Sequence, residues 1–92
     1  MRYDFFMADE AVAQRVRELL AFYSGAPEAT LGRDSTPQNT EGWDSLANLN
    51  LMAALESEYG LTIATRDVIK LRSLGDIADY VEGNAVVTGR TA

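Results

Sequence analysis

The sequence predicts a small all-α bundle of three main helices and one short helix, with a long loop between the first two. Three observations carry that prediction. Apolar residues recur at the i, i+3, i+4 spacing of a helix in three separate stretches, each stretch ends at a glycine or a Gly-Asn pair, and no run alternates apolar and polar residues as a strand would.

The first stretch runs over residues 9–23, where Val12, Val16, Leu19, Leu20 and Tyr23 form one stripe. Asp9 is its expected cap, Glu10 favours the positive end of the helix dipole, and Gly25 with Pro27 stops it. Phe5, Phe6 and Met7 leave two readings open. Either the helix extends back to a cap at Asp4, with Phe5, Ala8, Val12 and Val16 continuing the stripe, or the three form an exposed patch for a partner. Residues 24–41 are rich in Gly, Pro, Ser, Thr and Asn and hold no period, so they read as a long loop, pinned to the core by its one large apolar residue, Leu31.

The second helix follows Gly42-Trp43. Asp44 supplies the cap, SLANLNLMAALESEY supplies strong helix formers, and Gly60 ends it. Leu46, Leu49, Met52, Leu55 and Tyr59 are expected to form its buried stripe. Leu51 widens the apolar surface beyond one face, which points to a cavity or a docking patch. A short extended link, Leu61 to Ile63, leads to a brief helical turn from Arg66 to Lys70 with Thr65 as its cap. The last helix starts at a capping box, Ser73 with Asp76, and carries Ile77, Tyr80 and Val81 on one face up to Gly83-Asn84.

At 92 residues the chain is expected to be one domain, with a core over about 9–83 and extensions or frayed tails at 1–8 and 84–92. Apolar residues at 47% and charged residues at 24% fit a folded protein. Fourteen acidic against eight basic side chains give a net charge of −6, which disfavours nucleic acid and anionic membranes as partners. No apolar run approaches the roughly 20 residues that span a bilayer. The start, MRYDFFMADE, has acids where a signal peptide would have its apolar region, so the expected location is the cytoplasm.

The missing residue types narrow the chemistry. Without Cys or His there is no thiolate nucleophile, no imidazole base and no ordinary zinc site, and neither Ser-His-Asp nor Cys-His catalysis can occur within the chain. An autonomous enzyme built on Asp44 and Ser45 would lack the adjacent base that a serine nucleophile needs. The expectation is a protein without catalytic activity of its own.

Asp44-Ser45-Leu46 remains as the suggestive element. A serine in the first turn of a helix sits among unpaired backbone N–H groups at the positive end of the dipole, a favourable place for a phosphate ester on its hydroxyl. Taken alone, the triplet is also what an ordinary capped helix start looks like. In context, GWDSLANLNLMAALESEYGLTIATRDVIKLRSLGDIADYVE resembles the acyl carrier protein family: its Asp-Ser-Leu motif, a long second helix ending in an aromatic residue and Gly, a short third helix and a final helix. The resemblance covers roughly residues 11–83.

That resemblance implies an acyl-carrier-like four-helix bundle of the free-standing type, a monomer. It implies that a phosphopantetheinyl transferase attaches 4′-phosphopantetheine from coenzyme A to Ser45, and that acyl-loading and acyl-processing enzymes then use the arm's thiol to carry thioesters. Asp44 would hold the helix start and contact the transferase, with Mg²⁺ belonging to that enzyme's reaction, and Leu46 would be a docking contact. Leu49, Met52, Leu55, Ile63, Val68, Leu71 and Ile77 match apolar positions that surround the family's acyl pocket, each of which plain core packing explains as well. Met52 is the best adaptable wall. Tyr59 and Tyr80 read as core aromatics whose hydroxyls reach water or a backbone partner.

Carriers of fatty-acid synthesis present a run of acids on the second and third helices. Here Glu56 and Glu58 remain, Ala47, Asn50 and Ser57 stand at positions that are often acidic, and Arg66 and Lys70 lie on or near the short helix. A mixed face with Asp44, Leu46, Glu56 and Arg66 as docking residues implies a dedicated carrier for a specialised fatty-acyl, polyketide or aminoacyl pathway. Gly42-Trp43-Asp44-Ser45 lacks the Gly-Gly context of peptidyl carriers, while D-alanyl carriers share the Asp-Ser-Leu core. The competing class is a small helical interaction module in which the long loop and a Leu46/Leu51 patch bind a protein and Ser45 is never modified.

Overall fold

The computed structural model describes residues 2–84, with side chains from residue 11 onward. Its helices are α1 (Arg2–Ser24), α2 (Ser45–Tyr59), α3 (Thr65–Val68) and α4 (Leu74–Asn84), with a 3₁₀ turn at Glu28–Thr30 and no strand among the described residues. The all-helical bundle is the architecture expected from the sequence.

The first helix starts earlier than its apolar stripe. Asp9 lies inside α1 and not at its start, and Asp4 is likewise internal, because the helix runs back to Arg2. The backbone thus takes the extended-helix alternative, and the side chains of Phe5, Phe6 and Met7 lie outside the described residues. Val16, Leu19 and Leu20 are buried in one cluster with Leu31, Trp43, Leu51, Met52, Leu55, Leu61, Ile63, Leu74, Ile77 and Val81. On the polar side, the Arg15 guanidinium donates to Glu58 at 2.6 and 3.0 Å and so ties α1 to α2. Hydrogen bonding to Glu58, then to Glu18, holds Arg15 above its ordinary pKa.

The long loop is held from both ends. Leu31 is buried as expected. The loop also serves α4: the amides of Leu74 and Gly75, which no helical carbonyl can reach, donate to the carbonyls of Ser35 (2.9 Å) and Arg33 (3.0 Å). Arg33 donates in turn to the Asp79 carboxylate at 2.7 Å. Distant backbone thus completes the start of the last helix. The expected capping box is present in part. Ser73 Oγ accepts from the Asp76 amide at 3.0 Å, but the Asp76 carboxylate reaches back to the amide of Arg72, also at 3.0 Å.

Two expectations about helix faces are corrected. In α2 the buried set is Ala47, Leu51, Met52 and Leu55, whereas Leu46 and Leu49 are 67% and 64% exposed. Packing against α1 chooses the 47–51–55 row, so Leu49 is on the surface and Leu51, with no exposed area, belongs to the core and not to a patch with Leu46. Ala47 is buried by the same rotation and presents no surface to a partner. In α3 the cap position is Ala64, without a side-chain hydrogen bond, and Thr65 is the first helical residue. The helical turn accordingly ends at Val68, earlier than Lys70.

Candidate functional site

The head of α2 is built by interactions that surround Ser45 without engaging it. Asp44, in extended backbone conformation, caps the helix: its Oδ1 accepts from the Ala47 amide at 2.9 Å, and its carbonyl accepts from the Asn48 amide at 2.9 Å. Of the four first amides that lack an intrahelical acceptor, those of Asp44, Ser45 and Leu46 therefore remain. Before the cap, Trp43 is almost fully buried, 3% exposed, and its indole Nε1 donates to Asn48 Oδ1 at 2.9 Å. Its amide donates to the Thr40 carbonyl at 3.2 Å. Gly42 stands at φ +89°, where an added β-carbon would lie 2.0 Å from the Ser24 carbonyl oxygen.

Ser45 itself is exposed, and its hydroxyl makes no hydrogen bond with any described residue. A free hydroxyl in the first helical turn, beside three unengaged amides at the positive end of the dipole, fits a phosphate ester. The residues there hold the helix start and leave the oxygen accessible from solvent.

Residues 14–81 match the family model described as the phosphopantetheine attachment site. The chain belongs to the phosphopantetheine-binding carrier family. The carrier's cofactor is accordingly 4′-phosphopantetheine, held covalently, and carriers of this family work with enzymes that modify them and process what they bear. The match begins inside α1 and ends inside α4, so it includes the loop, the head of α2 and all of α3.

Asp44, Ser45 and Leu46 lie together in the carrier. Glu56 is eleven residues further along α2, about 16 Å along the axis at 1.5 Å per residue, and is engaged elsewhere. Its carboxylate accepts from the Ile63 amide at 2.7 Å, fixing the link into α3. Arg66 is exposed on α3. Its neighbour Asp67 faces α4, where it accepts from the Tyr80 hydroxyl at 3.0 Å. The Tyr80 hydroxyl therefore has a carboxylate partner, not the water or backbone group expected. That hydrogen bond, more than burial, raises the Tyr80 pKa, while burial chiefly raises that of Tyr59.

Of the seven apolar positions matched to an acyl pocket, Met52, Leu55, Ile63 and Ile77 are buried in the common core, with Val68 and Leu71 packed against it. Leu49 is excluded. An open groove of about 920 Å³ lies elsewhere, between the end of α1 and the loop from Pro27 to Gly42, and none of the seven lines it.

Trp43, Asn48 and Gly42 are the site residues that sequence reasoning passed over. A signal for the first two was present: they flank the cap at the positions, one before it and four after it, that commonly pack together at helix starts.

Proposed function

We propose that Ser45 is the residue of this carrier to which 4′-phosphopantetheine is attached, and that the protein bears acyl or related intermediates as thioesters for a specialised pathway. The observation that carries the reading is the Ser45 hydroxyl: exposed, free of internal hydrogen bonds, and at the first position of α2 within the matched residues. In the transferase reaction the Ser45 oxygen attacks the β-phosphorus of coenzyme A. A new P–O bond forms, the pyrophosphate bond breaks, adenosine 3′,5′-bisphosphate leaves, and the serine proton passes to a base of the transferase. The arm supplies the thiol that Cys-free residues of this chain cannot. Asp44 holds the helix start during attack, and Leu46 lies beside the arm as an apolar contact for whichever enzyme docks there.

The specialised role is supported by the surface charge. The exposed residues of α2 after Ser45 are Leu46, Leu49, Asn50, Ala53, Ser57 and Glu58, and Glu58 is paired with Arg15. Glu56 is committed to Ile63, and Asp67 is turned to Tyr80. Arg66, Lys70 and Arg72 stay exposed, and Ile69 between them is 70% exposed. An enzyme that reads carriers through a basic patch meets little free negative charge here.

The test is an intact-mass measurement after incubation with coenzyme A, Mg²⁺ and a broad-specificity transferase. Wild type should gain one phosphopantetheine and Ser45→Ala none. No gain in wild type would turn the reading toward a helical interaction module.

A further inference from the structure

The geometry points to Trp43 and Asn48 as positioning residues for modification at Ser45, a polar clip that sets where the serine hydroxyl stands. This assignment rests on the reading of Ser45 as the attachment point. Trp43 precedes the Asp44 cap and Asn48 is the fourth residue of α2, so the two flank the serine on either side. Apolar side chains at these two places commonly pack against each other and fix the angle at which the chain enters a helix. Here a hydrogen bond takes over that task, from the indole Nε1 to Asn48 Oδ1 at 2.9 Å.

The clip is anchored on both sides. The indole is embedded in the core with Leu31 and Ala47 among the same buried cluster, and the Trp43 amide is held by the Thr40 carbonyl. On the other side the Asn48 amide donates to the Asp44 carbonyl. The segment from Trp43 to Asn48 is therefore closed by a side-chain bond and a backbone bond, with Ser45 between their ends. The Ser45 side chain contributes no bond of its own, so where its hydroxyl stands is decided by the backbone that these bonds enclose. Because the indole nitrogen can only donate, the side chain at position 48 must offer an oxygen there. Asp can do this and Ala cannot.

A group held by packing alone would affect stability and leave turnover at saturation unchanged in the folded protein. A positioning group affects kcat, because misplacing a reacting oxygen by about 1 Å costs up to ~10²-fold in rate. The docking surface is untouched, so KM should hold.

The experiment measures transferase kinetics, with coenzyme A saturating and the carrier varied, on wild type, Trp43→Phe, Asn48→Ala and Asn48→Asp. Each variant is first shown folded by circular dichroism, and amide hydrogen exchange at residues 47 and 48 is followed in parallel. Trp43→Phe and Asn48→Ala should lower kcat by roughly tenfold with KM within about twofold. They should also speed exchange at those two amides, while Asn48→Asp should restore both readouts. Wild-type kcat in Trp43→Phe and Asn48→Ala would overturn the assignment, even with faster exchange, because the clip would then be structural only. So would an Asn48→Asp variant as slow as Asn48→Ala. Wild type that gains no phosphopantetheine, with the exchange pattern as described, would overturn the reading of Ser45 and the assignment with it, a result distinct from either of the others.

Discussion

The carbonyl oxygen of Ser24, the last residue of α1, occupies the space that a β-carbon on Gly42 would need, 2.0 Å away. The segment entering α2 thus passes against the end of α1 with no room for a side chain, two residues before the Asp44 cap. Gly42 also has φ +89°, which L side chains rarely adopt.

Gly42→Ala is therefore expected to cost at least the ~1–3 kcal/mol typical of a strained backbone position, and more because the clash is with backbone. Urea unfolding followed by Trp43 fluorescence measures it. A wild-type midpoint would mean that Gly42 does not run against Ser24.

Leu49 and Leu51, two residues apart and on opposite faces of one helix, make opposite predictions. Leu51→Ala removes a fully buried side chain and should destabilise by about 2–5 kcal/mol, whereas Leu49→Ala should stay within roughly 0.5 kcal/mol of wild type. If denaturation ranks the two in the reverse order, α2 is rotated relative to the core described above.

Tyr80 gives a pH dependence with a definite sign. Its neutral hydroxyl donates to Asp67, and that bond first, then burial, raises its pKa. The folded protein therefore keeps this proton to higher pH than the unfolded chain does. The contribution is complete below the ordinary tyrosine value near ~10 and is lost as pH rises through the folded value. The stability difference between wild type and Tyr80→Phe should be constant from neutral pH up to the unfolded tyrosine range and shrink above it. Tyr59 titrates in both proteins and cancels from the difference. Unfolding curves at stepped pH check this, and a difference that widens in alkali would contradict the Tyr80–Asp67 bond.

Arg66 and Lys70 should govern which enzymes engage the carrier. Replacing both with Glu is expected to raise kcat/KM by about tenfold for a transferase whose carrier-facing surface is basic, with the gain vanishing in high salt. An unchanged rate at low salt would show that this part of the surface is not read electrostatically.

The helix starts and stops around the site were readable because they are local chemistry. Asp44 caps α2 through an amide three residues away, and Gly60 ends it in the left-handed conformation, φ 65°, as a glycine can without penalty. Ser45 as a first-turn residue follows from that cap alone. Asp9 failed as a cap for the complementary reason: a capping residue is only a permission to stop, and the backbone of α1 continues through it to Arg2.

What the sequence by itself determined, then, was the set of helices, the loop and the position of the serine, since caps, glycine stops and period act over three or four residues. Tertiary structure decided which face of α2 is inside. That helix carries more leucines than one face can bury, so only the docking of α1 could select Leu51 over Leu49. It also decided that Glu56 serves Ile63, that Asp67 serves Tyr80, and that loop carbonyls at Arg33 and Ser35 complete α4. Those partners are 7, 13 and roughly 40 residues apart, and no local pattern encodes a contact that exists only once the chain has closed on itself.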